Sequence, residues 1–279
     1  MRLTVSHTTT YQFSPPKRGV VQSHRLTPAR TAGQAARSWS VSVPGATQGA
    51  AFRDGAGDWI DTVSLAGPVS ELSVEVTGVV ETSDTSGVLR DHRETVPPMA
   101  YLRETRATHV DHDLAVLSRD AVAELPEDDA LGRAHALSEA VAARIAYRSG
   151  STLWGTSAAE ALAQGEGVCQ DQAHALIAVA IAAGLPARYV AGYLYSANGD
   201  LAADEATHAW AEIWIDRLGW VGFDPANGCC PDDRYIRLGS GHDAVGAAPI
   251  RSVSEGAGDE HLDVSVSILP DTAQSQSQQ

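Results

Sequence analysis

Alternation of hydrophobic and polar residues dominates the first third of the chain. Four short runs with this period, or with clustered β-branched residues, are separated by Gly, Pro, Asp and Ser and predict strands at Leu3–Tyr11, Ser38–Val43, Trp59–Leu65 and Leu72–Val80. Because strand side chains alternate between two faces, this pattern indicates an antiparallel β-sandwich or barrel. We therefore expect an N-terminal β domain over residues 1–95.

A helical period replaces the alternation in the middle of the chain. Pro97-Pro98 mark the change, since proline disfavours both ladders and helix interiors, and residues 96–128 are expected to be a linker with short helices. Apolar residues at four-residue spacing predict an amphipathic helix over Asp129–Tyr147, and a short helix follows at Ser157–Ala163. The apolar run Cys169–Ala183 predicts a longer helix, which Gly184 and a nearby proline end.

Strand patterns return after this helix. Candidates are Arg188–Tyr195, His208–Ile215 and Trp220–Phe223, with turns expected at Gly199-Asp200 and at Asp216–Gly219. Helices followed by antiparallel strands give an α+β fold, in which a helix bearing a cysteine packs on an antiparallel sheet. We expect this core to span residues 129–240.

The end of the chain has two parts. The run Leu262–Leu269 alternates apolar and polar residues and predicts a strand that returns to either sheet, within a closing segment over residues 241–270. The Ser- and Gln-rich residues 271–279 are expected to be disordered.

Charge narrows the possible partners. The chain has 35 acidic against 20 basic residues, a formal net charge of −15, and a single lysine, Lys17. Such a surface repels phosphate backbones and anionic lipid, so nucleic acid and membrane surfaces are not expected partners. Cationic or neutral substrates fit better, and the sequence leaves the oligomeric state open.

Cysteine content and targeting signals indicate a compartment. The three cysteines, Cys169, Cys229 and Cys230, are too few and too unevenly placed for a disulfide framework. The N-terminus alternates like a strand and lacks the apolar run of a signal peptide. The most apolar stretch, Ala175–Ala183, is shorter than the roughly 20 residues that cross a bilayer. A cytoplasmic, soluble protein is the expectation.

Cys169 is the first candidate for chemistry. It follows Gly165-Glu166-Gly167 at the predicted start of a helix, where the helix dipole and unpaired backbone N–H groups favour a thiolate. The same N–H groups could stabilise an oxyanion. A cysteine beside an apolar helix is more often an inert buried thiol, so this residue alone does not predict an enzyme.

His208 and Asp224 change that interpretation. On a strand, His208 shares a face with Trp210, Glu212 and Trp214, a mixture that suits a cleft better than a core. Asp224 follows sixteen positions later, and a hairpin turn at 216–219 would bring it near His208. A carboxylate there can orient the imidazole and stabilise its charged form, although an Asp-Pro turn also explains the residue.

Four separated blocks now carry a family resemblance. They are Gly-Val-Cys-Gln-Asp at 167–171, Gly-Leu-Pro-Ala-Arg-Tyr-Val-Ala-Gly-Tyr at 184–193, Thr-His-Ala-Trp-Ala-Glu at 207–212 and Gly-Trp-Val-Gly-Phe-Asp-Pro-Ala at 219–226. In this order they resemble the bacterial transglutaminase-like proteins, often described as candidate cysteine proteases. The opening of the chain, with His7, Thr8, Tyr11 and Arg25-Leu26-Thr27-Pro28, is similar to the family's N-terminal β domain.

The resemblance implies a set of site residues. It assigns the nucleophile to Cys169, the base to His208 and the orienting acid to Asp224, in a papain-like or transglutaminase-like core that needs no cofactor and no metal. One departure is Ala226, where many relatives have threonine.

A peptide or protein substrate is implied as well. Three neighbours of the implied triad are candidates for binding it, namely Tyr193, Trp210 and Gln170.

Several functions remain open at this stage. Attack of a cysteine thiolate on an amide gives hydrolysis if water takes the acyl group and transglutamination if an amine does; we expect hydrolysis, because no calcium-loop signature accompanies the core. A non-catalytic binding module on the same fold is a second class. A metal enzyme is a third, supported by His109-Val110-Asp111-His112-Asp113, which an Asp-capped helix start explains equally well.

Two smaller features have simple explanations. His174 is expected to be a hydrogen-bonded core residue, and Cys229-Cys230 a chance pair in a loop.

Overall fold

Two long strands form the spine of the N-terminal region in a computed structural model that describes residues 1–196 and 207–271. Strand β1 spans Arg2–His24 and β4 spans Trp59–Thr82. They pair antiparallel from Arg2 opposite Glu81 to His24 opposite Asp61, with register shifts between residues 12 and 19. The shifts divide the pair into two arms.

Shorter strands extend both arms into one six-stranded sheet. Strands β2, Gln34–Ser42, and β3, Thr47–Arg53, flank β4. Two strands from the end of the chain, β11 at Ile250–Glu255 and β12 at Asp259–Pro270, flank β1. The predicted terminal strand therefore returns to the N-terminal sheet.

Apolar side chains from both arms form one cluster, which includes Leu3, Val5, Val20, Val63 and Val76. The predicted antiparallel β structure is thus present as one six-stranded sheet. The two separate strands predicted at 59–65 and 72–80 were wrong: they are one strand, because the alternation of buried residues resumes at Val69 and Leu72. Strand β3 was missed, since all seven of its residues are exposed and carry no hydrophobic period.

One 3₁₀ helix and four α-helices precede the core sheet in the described part of the chain. A 3₁₀ helix at Pro98–Leu102 replaces the predicted helix-like run after the two prolines. Helices α1 and α2 span His112–Val122 and Ala130–Arg144, and α3 spans Ala158–Gln164. Helix α4 spans Cys169–Ala182 and is buried from its third residue to Ala180.

The core sheet has four antiparallel strands in the order β10-β7-β8-β9. They are β7 at Ala187–Leu194, β8 at Thr207–Ile215, β9 at Gly219–Phe223 and β10 at Tyr235–Gly241. Two short strands, β5 at Ala146–Tyr147 and β6 at Glu166–Gly167, form a parallel pair beside the start of α4. The expected α+β core, with the cysteine helix packed on an antiparallel sheet, is confirmed.

One face of β8 explains why α4 packs there. Ala209, Ala211 and Ile213 are buried and join the cluster formed by the apolar side chains of α4. Small and aliphatic residues let the helix approach the sheet closely, and the burial of their apolar surface stabilises the contact.

The opposite face of β8 is not the cleft that the sequence suggested. Trp210 and Glu212 are buried at 2% and 3% exposure, because the N-terminal region covers this face of the sheet. Arg188 and Arg237 both bind the Glu212 carboxylate, and Arg237 also pairs with Asp58 of the N-terminal region. A buried ionic network therefore joins the two parts of the molecule.

Two expectations fall outside the described residues: the turn at Gly199-Asp200, and the disordered tail predicted at 271–279, of which only Asp271 is described. Within the described ranges, no helix combines the length and the apolar character needed to cross a bilayer. The domain boundaries at 95, 128 and 240 stay predictions.

Candidate active site

Cys169 occupies the first position of helix α4, after the extended residue Val168. The thiol is half-buried, so it lies at the surface end of a helix that is otherwise enclosed. The N-terminal position places the sulfur at the positive end of the helix dipole.

Asp171 organises this helix start. Its Oδ2 accepts a hydrogen bond from Val168 N at 2.8 Å and another from Thr152 Oγ1 at 2.5 Å. The side chain is fully buried, and burial raises the pKa of this carboxyl above its usual value. Gly167 makes this geometry possible, since a Cβ there would lie 2.9 Å from Asp171 Cβ. The glycine-rich approach to the cysteine is thus required for close packing.

His208 opens strand β8, and the structure places it between the other two candidates. Its Nε2 lies 2.7 Å from Asp224 Oδ2, and the Cys169 thiol is near enough to the ring to help raise the pKa of the imidazole. With Nε2 bound to Asp224, Nδ1 is the ring nitrogen left for a further partner. The ring also lies against Trp210, with centroids 6.4 Å apart in a stacked arrangement.

Asp224 directly follows β9 and is fully buried. Ala211 lies opposite Phe223 in the β8–β9 pair, and continuation of this register makes Asp224 a diagonal neighbour of His208. The two residues are therefore close, as expected, although they are not directly opposite. Its Oδ2 also accepts hydrogen bonds from Tyr235 OH and Asn227 Nδ2, each at 2.7 Å. Its Oδ1 accepts from the backbone of Ala226 at 3.0 Å, which leaves the departure from threonine without effect on this bond.

The electrostatics favour a charged histidine. Burial alone would lower the pKa of His208, but hydrogen bonds to Asp224 and Cys169, together with the charges of both, raise it to about 10. Burial would raise the pKa of Asp224, but the hydrogen bond and charge of His208, with those from Asn227 and Tyr235, hold it below its ordinary value. The arrangement suits a thiolate–imidazolium pair oriented by a carboxylate.

Tyr235 and Asn227 were missed by the sequence analysis. Asn227 could have been suspected, since it follows Asp224 by three residues within a turn. Tyr235 gave no signal, because it opens β10, a strand that the sequence did not predict.

The three candidate substrate-binding residues lie in different places. Tyr193 is 1% exposed and its hydroxyl lies 2.7 Å from His7 Nδ1, inside the core shared with the N-terminal sheet, so a wall of the cleft is ruled out by its burial. Trp210 is buried beneath His208 and supports the ring, which corrects its expected position in an open cleft. Gln170 is half-buried next to Cys169 and donates from Nε2 to Trp154 O at 3.0 Å.

The other cysteines and His174 are not part of this group. Cys229 Sγ lies 3.4 Å from Tyr235 OH, and burial raises the pKa of both Cys229 and Cys230. His174 is buried within α4 and its Nε2 accepts a hydrogen bond from Ala244 N at 3.0 Å, as a core residue would.

The acidic and imidazole groups at 109–113 serve a local structural role. Asp111 caps α1 by accepting a hydrogen bond from Leu114 N at 2.9 Å, and His109 Nδ1 pairs with Glu104 at 2.7 Å. Across the residues that the structure describes, no three His, Cys, Asp or Glu side chains converge as metal ligands would.

Comparisons with known proteins bear on the family and the fold of this chain. Residues 119–225 match the model of the transglutaminase-like superfamily core, and residues 3–81 match the bacterial transglutaminase-like N-terminal region. The Mycobacterium tuberculosis protein Rv2569c is 31% identical over 292 residues, which cover 96% of this chain and 93% of that protein. The Mycobacterium leprae protein ML0607 is 28% identical, with 96% and 98% covered.

The chain therefore belongs to the transglutaminase-like superfamily, in the bacterial branch that carries this N-terminal region. The fold is shared with a crystal structure from Cytophaga hutchinsonii described as "a Putative Cysteine Protease", with a TM-score of 0.73, 21% identity and coverage of 96% of this chain and 90% of that one. A shorter match, 39% identical over 71 residues, covers 24% of this chain and 11% of the protein-glutamine gamma-glutamyltransferase of Pseudomonas aeruginosa.

Proposed function

We propose that this protein is an enzyme that transfers acyl groups through a Cys169 thioester, and that its reaction is hydrolysis of a peptide or isopeptide amide. The observation that carries this proposal is the position of His208, whose Nε2 lies 2.7 Å from Asp224 Oδ2 and whose ring interacts electrostatically with the Cys169 thiol. A histidine held in this way can keep the thiol ionised and then donate its proton.

The reaction would begin at the thiolate. Cys169 attacks the amide carbonyl, and the tetrahedral oxyanion accepts hydrogen bonds from backbone N–H groups in the first turn of α4. As the C–N bond breaks, the His208 imidazolium gives its proton to the leaving amine. Water then attacks the thioester, His208 takes up one proton from that water, and collapse of the tetrahedral intermediate breaks the C–S bond, which releases the carboxylic acid and restores the Cys169 thiolate beside the His208 imidazolium.

Asp224 would act on the imidazole without exchanging a proton. Its carboxylate is buried and accepts hydrogen bonds from Tyr235 and Asn227, so its charge is retained beside Nε2. It thereby fixes the ring with Nδ1 toward the sulfur and stabilises the charged form.

Amine transfer is the second candidate. It is supported by the 71-residue match to a protein from Pseudomonas aeruginosa, because that relative is named as a protein-glutamine gamma-glutamyltransferase. Both reactions share the thioester and differ only in the nucleophile that resolves it. A binding module without chemistry is the remaining alternative.

The decisive experiment is mass spectrometry of the protein after brief exposure to a pool of glutamine-containing and isopeptide-linked peptides. We expect an acyl adduct on the peptide that contains Cys169, and none in Cys169→Ala at an unchanged melting temperature. Addition of a primary amine such as cadaverine then distinguishes the routes, since hydrolysis releases acid whether or not the amine is present. Turnover that persists in Cys169→Ala would exclude the mechanism.

A further inference from the structure

Three large apolar side chains are exposed on the segment that precedes the cysteine helix. Tyr147, Leu153 and Trp154 are exposed by 44%, 83% and 75%, and Leu153 exceeds every other large hydrophobic residue in the described ranges. We call these three residues the apolar rim. Single exposed apolar residues are common on protein surfaces, but a cluster of large ones marks contact sites for other molecules.

The first member of the rim is held directly beside the candidate nucleophile. Tyr147 lies on β5 and pairs with Gly167 of β6, two residues before Cys169. Arg148 N continues this contact by donating to Gly167 O at 2.8 Å. The strand that carries Tyr147 therefore runs along the approach to the thiol.

The other two members are tied to the first turn of α4. The carbonyl oxygen of Trp154 accepts a hydrogen bond from Gln170 Nε2 at 3.0 Å, and Thr152 Oγ1 binds the buried carboxylate of Asp171. These anchors lie one and two residues after Cys169 in the helix. The backbone of the loop is thus fixed next to the site while the two apolar side chains point into solvent.

The loop is an ordered turn. Leu153 N donates to Thr156 Oγ1 at 3.1 Å, and Thr156 N donates to Leu153 O at 3.0 Å. A rigid turn presents its side chains with little further loss of conformational entropy on binding, which favours a specific contact.

Local charge is balanced around the rim. Arg148 NH1 and Glu166 Oε2 form an ion pair at 3.1 Å, so neither sign dominates although the whole chain is strongly acidic. Apolar surface between paired charges favours an uncharged apolar side chain over a carboxylate or an ammonium group.

We propose that the apolar rim binds the side chain that precedes the acyl residue of a peptide substrate, and that the enzyme therefore prefers a large apolar residue at that position. This inference rests on the proposed function. Tryptophan is among the residues that most often dominate binding energy at contact sites, so Trp154 should supply the larger share. The preference would be exerted through recognition of the substrate side chain.

The test uses two dipeptidyl fluoromethyl ketones that share the residue next to the ketone and carry either leucine or serine before it. These reagents alkylate a thiolate by displacement of fluoride. In the wild-type protein we expect Cys169 to react about tenfold faster with the leucine reagent. In Trp154→Ala and Leu153→Ala the ratio should fall to about two or less, while the rate with iodoacetamide, which has no peptide, stays unchanged.

Matched controls are Phe52→Ala and Leu269→Ala, which remove side chains exposed by 48% and 60% on strands of the N-terminal sheet. Both should retain the full leucine preference. If the leucine preference survives in Trp154→Ala and Leu153→Ala, the proposal that the apolar rim binds this side chain is wrong. The proposal is also wrong if the wild-type protein shows no preference while Cys169 is still alkylated selectively. Failure of Cys169 to react faster than Cys229 and Cys230 with any of the reagents overturns the proposed function itself.

Discussion

The hydroxyl of Tyr235 donates to Asp224 Oδ2 at 2.7 Å, on the same carboxylate oxygen that lies 2.7 Å from His208 Nε2. Tyr235 lies on β10 and Asp224 at the end of β9, at opposite edges of the core sheet order. The bond therefore crosses from one edge strand to the other beneath the histidine. A fully buried carboxylate without such donors would become protonated.

The bond from Tyr235 should contribute to activity. In Tyr235→Phe, Asp224 loses one hydrogen bond to its charged form, so the orientation and charge of His208 are less well supported. We expect acylation of Cys169 to slow by about tenfold, since a hydrogen bond to a charged group contributes about 1.5–3 kcal/mol. The rate at which a peptidyl fluoromethyl ketone alkylates Cys169 measures this loss of thiol reactivity.

Tyr193→Phe is the matched control. It removes an equally buried hydroxyl, but one that contacts His7 and not Asp224. An equal loss of activity in both variants, after correction for any loss of folded protein, would assign the effect to packing.

Cys169 should be the most reactive thiol. Burial raises the pKa of Cys229 and of Cys230, which keeps both as thiols near neutral pH, whereas Cys169 shares a hydrogen bond with a charged His208. We expect iodoacetamide below pH 7 to label Cys169 at least about tenfold faster than the other two. Peptide mass spectrometry of a time course gives the three rates, and equal rates would remove the case for an activated nucleophile.

The ionisation of His208 can be followed without a substrate. Its pKa is raised to about 10 from an ordinary 6.5, so its contribution to the free energy of unfolding is complete below about pH 6.5 and is lost as the pH rises through about 10. Nitrogen-15 NMR of the imidazole should show a charged ring at pH 8. In Asp224→Asn we expect the titration to move to lower pH and the rate of amide cleavage to fall by about a hundredfold or more. A wild-type ring that titrates near 6.5 contradicts the ion pair.

The sequence contained most of the candidate site but little of its support. Cys169, His208 and Asp224 could be predicted because each sits in a local pattern, namely a glycine-rich helix start, a strand with a mixed face and a strand end after a short turn. The partners that stabilise them come from distant segments. Tyr235 approaches Asp224 only because β10 crosses to β7, and strand pairing over long separations leaves no local period.

The burial of the polar face of β8 could not be predicted from the sequence either. The alternation correctly separated Ala209, Ala211 and Ile213 from His208 and Glu212, but it could not tell what covers the polar side. A carboxylate in a strand usually indicates solvent. Here Glu212 is buried because Arg188 and Arg237 supply two guanidinium groups, and periodicity cannot reveal such a partner.

That buried network should be important for stability. Burial would raise the pKa of Glu212, but Arg237 and Arg188 lower it to about 2 from an ordinary 4.5, so its contribution is present above about pH 4.5 and is lost as the pH falls toward 2. Glu212→Gln leaves two buried guanidinium groups short of a counter-charge, and we expect it to cost about 3 kcal/mol of unfolding free energy at pH 7. Urea denaturation measures this cost.

An exposed pair provides the comparison. Asp120→Asn breaks the ion pair with Arg119, in which the carboxylate side chain is 63% exposed, and should leave the denaturation midpoint nearly unchanged. If Glu212→Gln were equally harmless, the network would not be what couples the core sheet to the N-terminal sheet.

Lys17, the single lysine of the chain, is the one lysine side chain that could act as an amine acceptor for the thioester. Lys17 is 3% exposed, and its Nζ donates to the carbonyl oxygens of Gly256, Ala257 and Gly258 at 3.3, 3.2 and 3.2 Å. An amine attacks a thioester through its lone pair, which requires a free, deprotonated and accessible nitrogen. In the folded protein the nitrogen of Lys17 is neither free nor accessible, so amine transfer should not cross-link one copy of the chain to another at this residue.

The variant Arg18→Lys tests this directly, because the side chain of Arg18 is 75% exposed and pairs with the exposed Glu255. With a glutamine peptide and no added amine, we expect no isopeptide bond at Lys17 in either protein. If the enzyme transfers acyl groups to amines, the variant should acquire a bond at position 18, whereas a hydrolase should release acid from both. An N-hydroxysuccinimide ester should likewise label Lys17 about a hundredfold more slowly in the native than in the urea-unfolded protein. Rapid native labelling of Lys17 would contradict its burial and restore it as an acceptor.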